Sequence, residues 1–237
     1  MYSYFVYNGI DSRDMGVYLA GPAPIMRGKE RVTEATVLGR AGALTLTEGE
    51  DIYEPYTQQL ILRAREPVHE ISKWLRGAGW VTFSGEPEVK QLARVVNQTQ
   101  FKKISQHIAY WEGTVQFLCQ PLKQLVHERV YGIASGQTLS NVGDVAERPT
   151  ITLTGAYGDI DLSINGGEPL RIEGLESSYG GCVIDCDARE LLSLDRSELL
   201  TRLTTGNFPC LPVGRSTVTI SGSHTGTALI ARREQWL

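Results

Sequence analysis

The sequence lacks several features that would place it at once in a large class of proteins. No stretch approaches the ~18 consecutive apolar residues of a membrane-spanning helix. The N-terminal stretch Met1–Tyr7 has no cationic start and no apolar run of signal-peptide length. Basic residues do not cluster beyond adjacent pairs such as Lys102-Lys103, and the formal net charge of the 237 residues is −4. We therefore expect a protein made in the cytosol, with no membrane partner and no nucleic-acid-binding patch.

Cysteine is scarce, and its spacing does not match that of a metal site. The four cysteines are Cys119, Cys182, Cys186 and Cys210. Four are too few for a disulfide scaffold in a chain of this length. Cys182 and Cys186 are separated by three residues rather than the two typical of zinc ligands, with no paired histidines nearby. Buried thiols and no bound metal are the favoured interpretation.

Sequence patterns of enzyme active sites are also missing. There is no glycine-rich phosphate loop followed by Lys and Ser or Thr, and no Gly-x-Ser-x-Gly nucleophile turn. The histidines have no ligand-like partner two or four residues away: His69, His107, His127 and His224. We therefore predict no catalytic residue and no cofactor.

Two groups of acidic residues could form the paired carboxylates of an active site or a metal site. Asp185 and Asp187 lie two apart on a predicted strand and would point to one face, as a glycosidase pair or a calcium loop requires. The glycine of a calcium loop is absent, and Arg189 interrupts the pattern. Glu173 and Glu176 lie near a turn. Solvated strand and loop charges are the favoured interpretation.

Exposed aromatic side chains can stack on sugar rings. The candidates are Tyr110-Trp111, Tyr157 and Tyr179. In β proteins such residues more often pack in the core or against a neighbouring strand. Sugar binding through Tyr157 or Tyr179 stays open as an alternative.

Alternation of apolar and polar residues predicts strands in both halves of the chain. They cover residues 2–7, 35–38, 43–47, 60–64, 80–83 and 115–119, and then 150–154, 159–164, 170–172 and 217–221. Asn8-Gly9, Gly39–Gly42 and Asn165–Gly167 have the chemistry of turns. Pro121 is expected to stop its strand, because proline cannot donate to a ladder.

One helix is predicted among these strands. Pro67 suits the first helical turn, where its missing N–H costs nothing. Apolar residues then recur at spacings of three and four: Val68, Ile71, Trp74, Leu75 and Ala78. Gly77 and Gly79 are expected to end the helix, whose apolar stripe must lie against a sheet.

A change in composition predicts two domains. Gly, Ser, Asn, Gln and Asp crowd residues 133–148, which we interpret as a linker between a domain of residues 1–132 and a domain of residues 149–237. Short strands and Gly-rich turns predict an antiparallel sandwich in the second domain. Leu191–Leu203 is predicted to form a short helix or a loop packed by its leucines.

Short patterns along nearly the whole chain resemble the distal tail (Dit) protein family of siphophages. In order, they are Phe5-x-Tyr7-Asn8-Gly9-Ile10-Asp11-Ser12, Met15-Gly16-Val17, Gly39-Arg40-Ala41-Gly42, Ile71-Ser72-Lys73-Trp74-Leu75, Glu86-Pro87, Trp111-x-Gly113-x-Val115-x-Phe117-x-Cys119-x-Pro121, Pro149-x-Ile151-x-Leu153-x-Gly155, Ile160-x-Leu162-x-Ile164-Asn165 and Gly206-Asn207-Phe208-Pro209-x-Leu211-x-x-Gly214. Each pattern is weak alone, and their order carries the resemblance.

The resemblance implies a mainly β protein. The N-terminal domain would be a tail-tube-like β-sandwich with one helix and a long hairpin, and the C-terminal domain a galectin-like β-sandwich. Independently of the resemblance, Tyr18–Thr33 contains Gly21, Pro22, Pro24 and Gly28 and is poor in core signals, which predicts an arm that reaches a neighbouring subunit.

The resemblance also implies a structural role without enzymatic activity. Six copies would form a ring at the distal tail tip of the virion, assembled in the host bacterial cytoplasm. The ring would join the tail-tube protein to a tail-tip (Tal-like) protein, with receptor-binding proteins anchored to it and DNA passing through without specific binding. The alternatives are a carbohydrate-binding host-recognition module and, less favoured, a hydrolase.

Overall fold

The computed structural model describes residues 3–47, 49, 51–65, 68–105, 108–224 and 226–237. The chain divides into two compact units, residues 1–126 with Leu237 and residues 127–236. Both are built mainly from antiparallel strands, so the predicted mainly β fold class is confirmed. Within the described residues, no helix is long and apolar enough to span a membrane.

The described part of the N-terminal unit combines strands of two to 18 residues with one helix. Its elements are β1 (Phe5–Tyr7), β2 (Ile10–Asp11), β3 (Val17–Leu19), β4 (Lys29–Glu30), β5 (Val32–Thr36), β6 (Ala43–Thr47), β7 (Tyr53–Glu54), β8 (Tyr56–Ala64), α1 (Val68–Trp74), β9 (Ala78–Phe83), β10 (Val89–Val95), β11 (Gln100–Ser105) and β12 (Ile108–Leu125). The main sheet has the order β2-β1-β9-β10-β12-β8-β3, and β11 pairs with the first part of β12.

This sheet curls until its two ends meet. The N–H of Leu19 in β3 donates to the carbonyl of Ser3, 3.1 Å away, just before β1. The N–H of Val17 donates to the carbonyl of Ser12 at 2.8 Å. The two layers of the predicted sandwich are therefore opposite walls of one curled sheet around a shared apolar core.

Helix α1 closes this core and confirms the predicted helix, though not its end. Ile71 is buried, and the Trp74 ring stacks on Phe5 with centroids 5.4 Å apart. The prediction that Ala78 continues the helical stripe is wrong: Ala78 begins β9, because Gly77 adopts a left-handed φ of 72° that ends the helical path. Pro67 lies outside the described residues.

The prediction that Pro121 stops its strand is also wrong, because β12 runs through it to Leu125. The pairing of β12 with β8 ends at Cys119. On the other side, the register with β10 shifts between Gln91 and Ala93, opposite residues 119–123. Pro121 thus lies where the pairing of β12 with β10 is irregular. At this position the ladder does not need the backbone N–H that proline lacks.

The C-terminal unit is a sandwich of two five-stranded antiparallel sheets. Its elements are β13 (Arg129–Ile133), β14 (Gln137–Asn141), β15 (Thr150–Thr154), β16 (Ala156–Ile164), β17 (Leu170–Leu175), β18 (Gly181–Asp185), β19 (Glu190–Ser193), β20 (Thr204–Thr205), β21 (Gly214–His224), β22 (Ala228–Arg232), β23 (Gln235–Trp236) and the 3-10 helices Ser177–Tyr179 and Thr201–Leu203. The orders are β13-β22-β15-β18-β19 and β14-β21-β16-β17-β20, and one apolar core contains buried residues of both. This layout is compatible with the galectin-like sandwich that the resemblance implies.

The predicted linker over residues 133–148 belongs to this sandwich. It contains β14, which pairs with β21, and the boundary between the units falls instead at Val126 and His127. The prediction failed because β14 is an edge strand: Gln137, Thr138 and Ser140 are exposed, and their polar composition is that of a loop.

The leucine-rich stretch Leu191–Leu203 contains more than the predicted helix or loop. It starts in strand β19, turns, and ends in the 3-10 helix Thr201–Leu203. Leu191 and Leu200 are fully buried in the core, whereas Leu199 is 56% exposed.

Candidate interaction surfaces

A two-stranded hairpin projects from the main sheet and presents apolar side chains. Strands β4 and β7 pair Lys29 with Glu54, and β5 and β6 continue the ladder to the pair Thr36 and Ala43. The turn between them contains the predicted Gly39–Gly42 stretch, whose two glycines have left-handed φ angles of 82° and 83°. We call the described part of residues 29–54 the hairpin arm.

The hairpin arm has no core of its own. Every residue of β5 and β6 is half-buried or exposed. Leu38 at the tip is 99% exposed, and Val37 and Leu46 are also exposed. An isolated two-stranded hairpin is marginally stable in water, so this ribbon needs a surface to cover it. It is the strongest candidate for contact with another protein chain.

The stretch Tyr18–Thr33, predicted to be a reaching arm, is exposed at most of its positions and is anchored to its own unit at a few of them. Tyr18 and Leu19 belong to β3, and Ala23 is buried. The side-chain amide of Gln58 donates to the carbonyl of Pro24 at 2.9 Å. The element that projects is instead the hairpin arm, which starts near the end of this stretch.

A second apolar surface lies on the outer face of the main sheet. Trp80 in β9 is paired with Leu92 in β10, and both side chains are about two-fifths exposed, at 39% and 41%. The ammonium of Lys90 lies 5.1 Å from the centroid of the Trp80 ring, a cation–π contact. We call these three residues the Trp80 patch. It combines an aromatic, an aliphatic and a cationic side chain, whereas the exposed apolar side chains of the hairpin arm are aliphatic.

The acidic residues considered as a catalytic pair are held by structural partners. Asp185 Oδ1 accepts from the N–H groups of Asp187 and Ala188 at 3.0 and 3.1 Å. The Arg233 guanidinium lies 3.7 Å from Asp185 and 3.8 Å from Asp187. Asp185 thus caps a turn, and Arg233 lies near both aspartates.

The other two acidic residues, Glu173 and Glu176, have different surroundings. Glu176 accepts from the Ser178 hydroxyl at 3.2 Å, and Glu173 is an exposed residue of β17. In the part of the chain that the structure describes, no group of three or more His, Cys, Asp and Glu residues could hold a metal ion.

The histidine side chains that the structure describes lie on the surface. His69 Nε2 is 3.2 Å from a carboxylate oxygen of its neighbour Glu70, and His127 is exposed. His107 and the side chain of His224 lie outside the described residues.

The cysteines mostly follow the expectation of buried thiols. Cys119, Cys182 and Cys186 are buried, and burial raises the pKa of Cys119 and Cys182 to about 12. Cys210 is exposed, contrary to that expectation.

The aromatic candidates for sugar stacking have different surroundings. The Tyr110 hydroxyl accepts from Arg65 Nη2 at 2.6 Å, and the neighbouring Trp111 is half-buried. Tyr157 is 43% exposed on β16. Tyr179 packs partly against the core and lines an open depression of about 300 Å³.

A buried charge cluster in the C-terminal unit was not predicted. Arg232, 4% exposed, donates from Nε to Glu147 Oε2 at 2.7 Å and from Nη2 to Glu234 Oε1 at 3.2 Å. Glu147 is fully buried and also accepts from the backbone N–H of Arg233. The sequence separation of 85 positions between Glu147 and Arg232 explains why no local pattern could reveal the pair.

Comparison with known proteins finds similarity of fold rather than of sequence. No protein-family model matches the chain, and no curated protein sequence matches it. A solved structure that does match is the Dit protein of phage SPP1, described as a paradigm of the hub adsorption apparatus in phages that infect Gram-positive bacteria. It is 14% identical, has a TM-score of 0.79, and the match covers 100% of both chains. A chain in the activated baseplate of phage p2 matches at 7% identity and a TM-score of 0.50, over 98% of both chains.

Proposed function

We infer that the chain is a distal tail protein, a structural subunit of the hub at the tip of a long phage tail, and that it has no enzymatic activity. The observation that carries this proposal is the fold similarity to the Dit protein of phage SPP1 over the full length of both chains. Sandwich folds occur in many unrelated proteins, so a match to one unit would say little. A match that includes both units in the same chain is far more specific.

In this proposal six copies close into a ring around a channel for DNA. A cyclic ring needs a heterologous interface, in which one surface of a subunit meets a different surface of its neighbour. The hairpin arm and the Trp80 patch are two unlike surfaces with exposed apolar side chains. Burying Leu38 of one copy on the sheet of the next would also stabilise the ribbon itself.

The ring would join the tail-tube protein to the tail-tip (Tal-like) protein and anchor receptor-binding proteins. It would assemble in the host bacterial cytoplasm and leave in the virion. The net charge of −4 agrees with a conduit, because a strongly basic channel would bind the phosphates of the passing DNA.

The mass of the purified full-length protein in solution tests this proposal. One chain has a mass of 26.2 kDa. Light scattering coupled to size-exclusion chromatography should give about six times that mass. The variant Leu38→Asp should shift the protein to monomers, because a charge at the tip cannot be buried against a neighbour without a large cost.

The matched control is Leu199→Asp, which places the same charge at an exposed leucine of the C-terminal unit. This variant should keep the mass of the wild-type protein. A wild-type protein that stays monomeric at micromolar concentration with a folded circular-dichroism spectrum would contradict the ring. An unchanged mass for Leu38→Asp would contradict the role of the hairpin arm.

A further inference from the structure

The two sheets of the C-terminal sandwich leave an open cleft between their edge strands. β13 is the edge of one sheet and β14 the edge of the other, and residues of both line a cleft of about 400 Å³. In the register of β13 with β22, Tyr131 lies opposite Ile230 and Arg129 opposite Arg232. Ile230 and Arg232 are buried between the sheets, so Tyr131 and Arg129 point to the same side.

The opposite wall comes from β14. Leu139 is buried at the base of the cleft, and Gln137 lies two residues before it on the same side of the strand. The side-chain Oε1 of Gln137 accepts from the N–H of Ala134 at 2.9 Å, which fixes the orientation of the amide. Its Nε2 is the group that remains for donation to a ligand.

A buried carboxylate in this cleft has an unused acceptor. Glu234 lines the cleft and is 4% exposed. Its Oε1 accepts from Arg232 Nη2 at 3.2 Å, but its Oε2, also buried, accepts no hydrogen bond from any residue that the structure describes. Arg129 Nη1 lies 3.9 Å from this oxygen, beyond hydrogen-bond distance. Buried polar atoms normally have a partner, and Glu234 also lines the cleft. A hydroxyl or amine donor from the cleft would reach this oxygen once the Arg129 side chain, which is 51% exposed, moves aside.

The charges around the cleft favour a neutral ligand. Two guanidinium groups, Arg129 and Arg232, balance the two carboxylates Glu147 and Glu234. All of these except Glu147 line the cleft. A cationic ligand would meet Arg129, and an anionic ligand would meet Glu234. A neutral molecule with several hydroxyl groups can donate to the carboxylate and accept from the guanidinium at once.

An aromatic ring beside these planar polar groups completes a carbohydrate-type site. Tyr131 is 44% exposed, so one face of its ring is available for the C–H surface of a pyranose. The cleft volume falls within the usual range of small-ligand pockets, about 300–1,000 Å³.

A peptide added along β13 or β14 would use backbone groups at the outer strand edge and would leave Glu234 Oε2 without a donor.

We propose that this cleft binds a neutral saccharide, with Tyr131 as the stacking platform, Glu234 as the acceptor, and Arg129 and Gln137 as donors. The site differs from Tyr157 and Tyr179, the aromatic residues that the sequence singled out. It goes beyond the structural role of the hub and does not depend on ring formation.

Saturation-transfer NMR on the full-length protein tests the site with defined probes. The neutral probes are D-glucose, D-galactose and N-acetyl-D-glucosamine, and the charged probes are D-glucosamine and D-glucuronate. At least one neutral sugar should receive saturation, with a dissociation constant on the order of 1 mM, as expected of an open site with few contacts. Tyr131→Ala should weaken this binding by about tenfold or more.

The matched control is Tyr157→Ala, because Tyr157 is 43% exposed and also lies on a strand of the same unit. It should leave binding unchanged. Glu234→Gln should weaken binding as well. If Glu234→Gln does not fold, the result for Tyr131→Ala decides whether the proposal holds. Tyr131 is 44% exposed, so its truncation should leave the protein folded. No saturation of any neutral sugar, binding of charged probes only, or equal binding by wild type and Tyr131→Ala would overturn the proposal.

Discussion

Gly28 lies directly against Pro121, at the point where the hairpin arm leaves the main sheet. A Cβ atom added to Gly28 would be 2.5 Å from Pro121 Cβ and 3.2 Å from Pro121 Cα. The proline ring is rigid and belongs to the long strand β12, so it cannot move aside easily. This contact sets how closely the base of the hairpin arm approaches the sheet.

We therefore predict that Gly28→Ala destabilises the protein by about 1–3 kcal/mol, the usual cost of overpacking. Urea unfolding followed by tryptophan fluorescence measures the change. The matched control is Gly21→Ala in the same segment, where an added Cβ meets nothing within 4 Å. Equal stabilities for the two variants would show that the Gly28 contact does not constrain the arm.

Gly206 in the C-terminal unit combines a strained backbone angle with a close contact. Its φ is 85°, and an added Cβ would be 2.1 Å from the carbonyl oxygen of Pro169. Gly206→Ala should therefore lower the free energy of unfolding by about 1–3 kcal/mol more than backbone strain alone would. Gly214→Ala isolates the strain, because Gly214 has a φ of 94° and open space around its Cα. Thermal unfolding should give a lower midpoint for Gly206→Ala than for Gly214→Ala; the reverse order would contradict the contact.

Removal of Arg232 should be among the most damaging single changes in the C-terminal unit. Arg232→Met leaves the buried carboxylates of Glu147 and Glu234 without their guanidinium partner, a loss of about 3–5 kcal/mol for a broken buried pair. Arg171→Met removes an exposed pair with Asp161, whose side chains are 53% and 39% exposed, and should leave the free energy of unfolding almost unchanged. Denaturant unfolding of both variants compares the losses. Similar small losses would mean that the buried cluster is well solvated.

Thiol labelling should distinguish one cysteine from the other three. Cys119, Cys182 and Cys186 are buried, and burial raises the pKa of each thiol, so little reactive thiolate forms. Cys210 is exposed. At about pH 8, Ellman's reagent should react quickly with one thiol of the native protein, and Cys210→Ser should remove that fast phase. Fast reaction of two or more thiols would contradict the burial of the other three.

Local turn chemistry was the part of the fold that the sequence predicted best. Asn8 and Gly9 both adopt left-handed φ angles, 51° and 78°, and connect β1 to β2 as the Asn-Gly pair predicted. Asn165 and Gly166 do the same between β16 and β17. These turns are decided by the residues themselves, so no tertiary information is needed.

Features that depend on neighbouring strands were predicted less well. Pro121 was expected to end its strand, and only the register shift of β10 opposite it shows why β12 continues. The polar residues of β14 look like a linker, because an edge strand exposes one face and one edge. The cleft residues Tyr131 and Glu234 come together only when β13 pairs with β22, which leads into the segment holding Glu234.

Electron microscopy of the purified full-length protein tests the central claim most directly. If the chain is a hub subunit, class averages should show closed rings of six subunits with an open centre, and the Leu38→Asp variant should show none. Isolated single subunits or open linear chains of the wild-type protein would contradict the account.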